Sequence, residues 1–119
     1  MKISLELDAK PQPRPRFNRK GIAYEDAASK SYKSAVGFLA KMAMQGKPPI
    51  EKTCRVLIKF YRRYKVSSRR YGDCDNLAKS VLDACNGILW LDDSQIISLT
   101  AEKYQSPTPR LEIEVIEQK

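Results

Sequence analysis

The sequence predicts an α+β domain, a mixed β-sheet with two helices packed on it, in the order β-α-β-α-β-β. Three observations carry that expectation. Apolar residues alternate with polar ones near both ends of the chain: Ile3, Leu5 and Leu7 against Ser4, Glu6 and Asp8, then Leu111, Ile113 and Val115 against Glu112 and Glu114. Period-two alternation is the mark of half-buried strands. Two interior stretches instead repeat apolar residues at helical spacing. No segment repeats and none is of low complexity, so both helices are expected on one sheet within a single domain spanning residues 1–119.

The elements follow in order. After the first strand, residues 9–22 (AKPQPRPRFNRKGI) hold three alternate prolines and exclude a helix or a central strand. Asp26 can cap a first helix with the apolar stripe Tyr32, Ala35, Val36, Leu39, Met42 and Ala43, ended by Gly46 and Pro48-Pro49. Residues 53–61 (TCRVLIKFY) give a second strand with Val56, Ile58 and Phe60 on one face. The segment DNLAKSVLDACNGIL gives a second helix from about Asn76, with Leu77, Val81, Leu82, Cys85 and Ile88 as its stripe. Trp90-Leu91-Asp92-Asp93 reads as a turn. Residues 94–104 and 110–117 are the third and fourth strands, joined at Ser106-Pro107-Thr108-Pro109 as a hairpin loop.

Composition removes whole classes of chemistry. The 119 residues include no histidine, which excludes a Ser-His-Asp triad, a Cys-His dyad and the usual histidine-containing zinc sites. Three cysteines, Cys54, Cys74 and Cys85, are too few for a four-thiolate zinc site and form no CxxC pair. They read as small packing groups in a reducing compartment. The charged start MKISLELDAK lacks the apolar run of a signal peptide, so a soluble, intracellular protein is expected.

The net charge of +8 is unevenly spread. Residues 1–71 carry 18 Lys/Arg against 5 Asp/Glu, and residues 72–119 carry 4 against 9. A uniformly solvated surface is one reading. The other is a polyanion-binding surface beside a carboxylate site for a cation.

The stretch Gly72-Asp73-Cys74-Asp75-Asn76-Leu77-Ala78-Lys79, followed by Asp92-Asp93, bears on that choice. In an extended segment Asp73 and Asp75 point to the same side. Asp93 comes back to them only if the third strand runs beside the start of the second helix. Two carboxylates 4 Å apart repel by about 4 kcal/mol at an effective dielectric of 20. A hard divalent cation relieves that repulsion, and such an ion supports phosphodiester hydrolysis without histidine. Lys79, one turn after Asp75, can reach a phosphate on the same face. Each residue also has a plainer reading: Asp75 as a helix cap, Lys79 with Asp83 as a surface pair, Asp73 or Asp92 as solvated loop residues.

Basic residues cluster with aromatics in two loops. Arg14, Arg16, Arg19 and Lys20 surround Phe17, and Arg62, Arg63, Lys65, Arg69 and Arg70 lie among Tyr61, Tyr64 and Tyr71. Arginine beside aromatic rings suits phosphate contact plus stacking, and a solvated loop is the alternative for either segment alone. No helix-turn-helix, RRM or zinc-finger signature appears, so recognition of backbone or shape is expected.

The block RRYGDCDNLAKSVLDACNGILWLDDSQI resembles the RusA-type Holliday junction resolvases, with a basic loop, D-x-D-N, a lysine six residues after the first Asp, and W-x-D-D ahead of a strand. The early segment PQPRPRF resembles that family's Pro/Arg motif. The resemblance implies that Asp73, Asp75 and Asp93 hold Mg²⁺, for which Mn²⁺ can substitute, with Lys79 as the functional lysine and Asn76 and Asp92 in support. It implies a homodimer making paired nicks in four-way DNA junctions during recombination and repair, in the cytoplasm of a bacterium, phage- or prophage-encoded. No membrane and no small-molecule cofactor beyond the metal are expected. Gly72 stands where a basic residue often precedes the first Asp, and Cys74 replaces a usual aliphatic. The rivals are a non-catalytic basic DNA-binding module and a metal nuclease of flap or duplex DNA.

Overall fold

A computed structural model describes residues 1–12 and 16–118, with Arg16 by its backbone alone. Its elements are β1 (Lys2–Leu5), β2 (Arg16–Phe17), β3 (Ala23–Tyr24), α1 (Ala27–Met44), β4 (Cys54–Arg62), α2 (Cys74–Cys85), β5 (Ile96–Gln105) and β6 (Arg110–Glu117). The α+β class and the order of the long elements agree with the sequence reading. The proline-rich segment adds a small ribbon, with Arg16 opposite Tyr24 and Phe17 opposite Ala23, separate from the main sheet.

The main sheet is mixed and ordered β1-β6-β4-β5. β6 lies antiparallel to both β1 and β4, and β4 runs parallel to β5. A parallel pair needs a crossover, and α2 supplies it. This order corrects the expected hairpin at Ser106–Pro109, because β5 and β6 are not neighbours. The connection carries the chain past the end of β4, and β6 enters on the other side. Burial explains the choice. Leu111, Ile113 and Val115 of β6 are almost fully enclosed, as a central strand requires, whereas Ile97, Leu99 and Tyr104 leave β5 half in water, as an edge permits.

Val56, Ile58 and Phe60 of β4 face the helices and form one core with Ile3, Leu5, Val36, Leu77, Val81, Leu89 and Trp90. Trp90 follows α2 outside any helix, yet its ring is wholly buried. The apolar stripe expected for α1 is rotated. Its buried residues are Ser29, Tyr32, Val36, Gly37, Ala40 and Met44, while Ala35, Met42 and Ala43 face water. The close approach of α2 decides this, for a Cβ on Gly37 would lie 3.2 Å from both the Ala84 carbonyl and the Ile88 side chain. α2 begins two residues before the expected Asn76 and stops at Cys85, because Gly87 takes a left-handed φ of 78° and turns the chain away. No helix among the described residues is long and apolar enough to cross a membrane.

Candidate functional site

The first two turns of α2 present Asp73, Asp75 and Lys79 to solvent, with Asn76 half-buried. Asp73, rather than Asp75, is the N-cap residue, and its side chain makes no capping hydrogen bond. That is unusual for an N-cap aspartate, which ordinarily accepts a backbone N–H of the first turn. Asp75 sits in the first turn, where a carboxylate is favoured by the helix dipole. Neither carboxylate has an ion-pair partner among the described residues. Asp83, the expected surface partner of Lys79, is instead paired with Lys33 at 3.3 Å, and Lys33 also holds Glu25 at 2.7 Å.

The backbone ahead of Asp73 is braced at three successive residues. Tyr71 is fully buried, and its hydroxyl lies 2.7 Å from the carbonyls of both Phe60 and Tyr104 while accepting the Tyr104 N–H at 3.1 Å. Burial pushes its phenol above the ordinary tyrosine range. Arg62 donates through Nη1 to the Arg70 and Tyr71 carbonyls and through Nε to Asp8 at 2.8 Å. Lys103 reaches across from β5 to donate to the Gly72 carbonyl at 3.0 Å. Gly72 itself has φ of 96°, and a Cβ there would stand 3.1 Å from Pro11. Both facts explain glycine where the family pattern often has a basic residue. Cys74, the other departure, directs its thiol at the Ala101 carbonyl, 3.7 Å away.

Asp93 stands apart. α2 runs about 18 Å from its start, and the chain then turns through Trp90 at the opposite end. Asp93 opens a short 3₁₀ turn, Asp93–Gln95, anchored at the beginning of β4 by the Gln95 amide, which donates to the Ile50 and Lys52 carbonyls at 2.7 and 3.0 Å. β5 then runs back, so its far half, Ala101 to Lys103, is what meets the start of α2. At about 3.3 Å per residue, the five residues from Ile96 to Ala101 span roughly 17 Å. Within one chain Asp93 therefore does not join Asp73 and Asp75, and no group of three acidic or thiol side chains able to hold a metal forms among the described residues. Asp92 caps the same 3₁₀ turn, accepting from the Ser94 N–H at 3.2 Å and from its hydroxyl, while the Gln95 side chain accepts the Asp92 N–H at 2.8 Å. Those Ser94 bonds hold the Asp92 carboxyl below its usual range. The D-x-x-Q spacing of this capping box is plain in the sequence.

Both basic loops border the start of α2. The proline-rich loop docks there through Gln12, whose N–H donates to the Asn76 carbonyl at 3.0 Å and whose side-chain oxygen accepts from Ser80 at 3.0 Å. Arg19 and Lys20 beyond it are exposed, while Arg14 and the side chain of Arg16 lie outside the described residues. In the second loop Arg63, Lys65, Arg69 and Arg70 are exposed. Arg62 is not. It is 6% exposed, and its guanidinium also lies 4.9 Å from the Tyr64 ring, so the expectation of a DNA contact there is corrected to a structural one. Tyr71, expected among the stacking aromatics of the second loop, is instead fully buried, while Lys103 and Asp8 belong to no local motif because each acts across tens of residues.

The matching family model, described as Endodeoxyribonuclease RusA, covers residues 6–116. The chain belongs to the RusA endodeoxyribonuclease family. A 45-residue segment is 42% identical to the "Uncharacterized protein YqaN" of Bacillus subtilis (strain 168), spanning 38% of this chain and 32% of that protein.

Proposed function

We propose that this protein is a divalent-metal endodeoxyribonuclease that resolves four-way DNA junctions. Family membership supports the reaction class. The observation that carries the site is the pair Asp73 and Asp75, exposed and without partners among the described residues, at a helix start flanked by two basic loops. Their hard oxygens fit Mg²⁺, which typically takes one or two carboxylates together with water and phosphate oxygens. When bound, the ion supplies Lewis acidity and charge neutralisation for phosphodiester hydrolysis. Asp73 and Asp75 hold it, Lys79 steadies the phosphate on the same helical face, and the exposed arginines and lysines of both loops hold the DNA arms.

The third carboxylate comes, in this reading, from a second copy of the chain. β5 is an edge strand with Ile97 and Leu99 50% and 43% exposed, an arrangement that invites pairing. Antiparallel pairing of two β5 strands about Ser98 sets residue 93 of one copy across from residue 103 of the other. Lys103 holds Gly72, so Asp93 of the second copy arrives beside Asp73. A two-fold dimer also matches the two symmetric cuts that a junction requires.

The test is cleavage of a synthetic four-way junction in Mg²⁺. Paired nicks are expected from wild type, and a loss of at least 10²-fold from Asp75→Asn, in line with the scale of losing a key electrostatic group. Equal activity in Asp75→Asn rejects the metal role. Junction binding without any cleavage selects a non-catalytic DNA-binding module, and preference for flap or duplex DNA selects a different nuclease.

A further inference from the structure

The sheet face away from the helices carries a row of side chains outside the site described above. Val56, Ile58 and Phe60 point under the helices, so Tyr61 points the other way, with Arg110 of β6 on one side and Tyr104 of β5 on the other as its register partners. The three are layered. The Arg110 guanidinium carbon lies 3.7 Å from the Tyr61 ring centre. The Tyr61 and Tyr104 centroids are 5.2 Å apart with an 18° angle between planes. Carboxylates hold the ring tips: Tyr104 donates to Glu102 at 3.0 Å and Tyr61 to Glu112 at 3.2 Å. Glu112 also meets Arg110 at 3.5 Å.

The row stops at the edge of the sheet. Among the described residues β5 has no further strand beside it, and Tyr104 is 39% exposed. One face of Tyr104 is stacked on Tyr61, and on the other side the next position of the row, a slot, carries no strand among the described residues. Neighbouring strands lie roughly 4.8 Å apart, so the next position in the row suits another flat π system. The strand pairing proposed above uses Ile96–Thr100, and Tyr104 lies past it, level with residue 92 of the second copy, which precedes that copy's β5.

We propose that the outer face of Tyr104 is a stacking site for an unpaired nucleobase of the branched DNA. Charge favours a nucleic acid over another aromatic partner. Arg63, just past the end of β4, is exposed and fixed by its Nε to the Pro107 carbonyl at 3.1 Å, while Gln105, next to Tyr104, donates to the Arg63 carbonyl at 3.5 Å. Arg63 has no ion-pair partner among the described residues, so it is available to the phosphate of the stacked nucleotide. Position ties the slot to the cut. The Tyr104 backbone is bonded to the Tyr71 hydroxyl, two residues before Asp73. A branched duplex displaces bases at its crossover, and a ring held ready there rewards that displacement without reading sequence. The proposal rests on branched DNA being the substrate, and it names how unpairing is sensed.

The experiment measures binding to a fluorescent four-way junction without Mg²⁺, across a salt series, beside the cleavage assay. Tyr104→Leu is expected to weaken binding about tenfold, the usual worth of one stacked base, with an unchanged log–log salt slope. Arg63→Ala is expected to lower that slope by about 1. Tyr104→Phe and Tyr104→Trp keep the ring and are expected to bind within about twofold of wild type or tighter. A 2-aminopurine at the crossover reports the stacked base directly, through a fluorescence change on binding that Tyr104→Leu abolishes. Wild-type affinity in Tyr104→Leu overturns the proposal. So does a Tyr104→Phe variant as weak as Tyr104→Leu, because the hydroxyl contact to Glu102 would then be the cause. A Tyr104-dependent affinity in a wild type that never cuts leaves the stacking site standing and rejects the nuclease reading instead.

Discussion

At the scale of single residues, the most consequential distinction lies between neighbours of the same type. Arg62 and Arg63 adjoin in one basic run, yet the first is enclosed and the second faces water. Strand alternation sets this: Arg62 continues the buried series Val56, Ile58, Phe60, and its charge is tolerated there only because Asp8 and two backbone carbonyls receive it. Removing it leaves Asp8 and both carbonyls without their donor. Arg62→Ala is expected to cost about 3 kcal/mol in urea denaturation, and Arg63→Ala less than about 0.5 kcal/mol. Equal stability of the two variants would show the Arg62 guanidinium free in solution. The thiols divide in the same way. Cys85 is wholly enclosed, and burial pushes its thiol up to about 12, in keeping with a packing group.

At the scale of elements, α1 and α2 open with the same residue type in different employment. Asp26 caps α1 by accepting the Ser29 N–H at 2.7 Å. Asp73 caps α2 in position only. Asp26→Ala is therefore expected to lower stability by about 1 kcal/mol, and Asp73→Ala by less than about 0.5 kcal/mol without metal. A metal-free loss at Asp73 as large as that at Asp26 would return it to a purely structural role. Much at this scale was legible from the chain. The strands at Val56–Phe60 and Leu111–Val115 follow from alternation, and α2 follows from its apolar spacing. The α1 stripe differs from the apolar pattern because the surfaces that touch α2 and the core include Ser29 and Gly37, small residues that carry no apolar signal. The expected hairpin at Ser106–Pro109 fails for a different reason. Turn residues mark where a chain bends, but which strand lies next to which is settled by how much apolar surface each can bury. Asp73, Asp75 and Lys79 stood out because their spacing is local. The brace of Tyr71, Arg62 and Lys103 did not, because it is assembled from three separate elements.

At the scale of the whole molecule, the division of charge along the chain is partly undone by the fold. Glu114 of β6 is paired with Lys2 at 3.4 Å, and Glu112 lies in register with Lys59. The acidic strand is thereby placed between two basic ones, while the carboxylates at the start of α2 stay unneutralised among the described residues. If two copies join along β5 as proposed, sedimentation equilibrium will give twice the 13.6 kDa chain mass. Leu99→Asp, which in that register sets a charge against residue 97 of the second copy, is then expected to yield a folded monomer that has lost paired nicking. A Leu99→Asp protein that stays dimeric would exclude that edge as the contact.

The position of β6 between β1 and β4 has a consequence for how the protein is made. A ribosome finishes both flanking strands before the one that separates them exists, so the nascent sheet has a gap at its centre until residues 110–117 emerge. Up to that moment β1 has no strand to pair with, and β4 is paired on its β5 side alone. Biogenesis should thus be abrupt and late, with protease resistance gained over the synthesis of a single strand rather than accumulated along the chain.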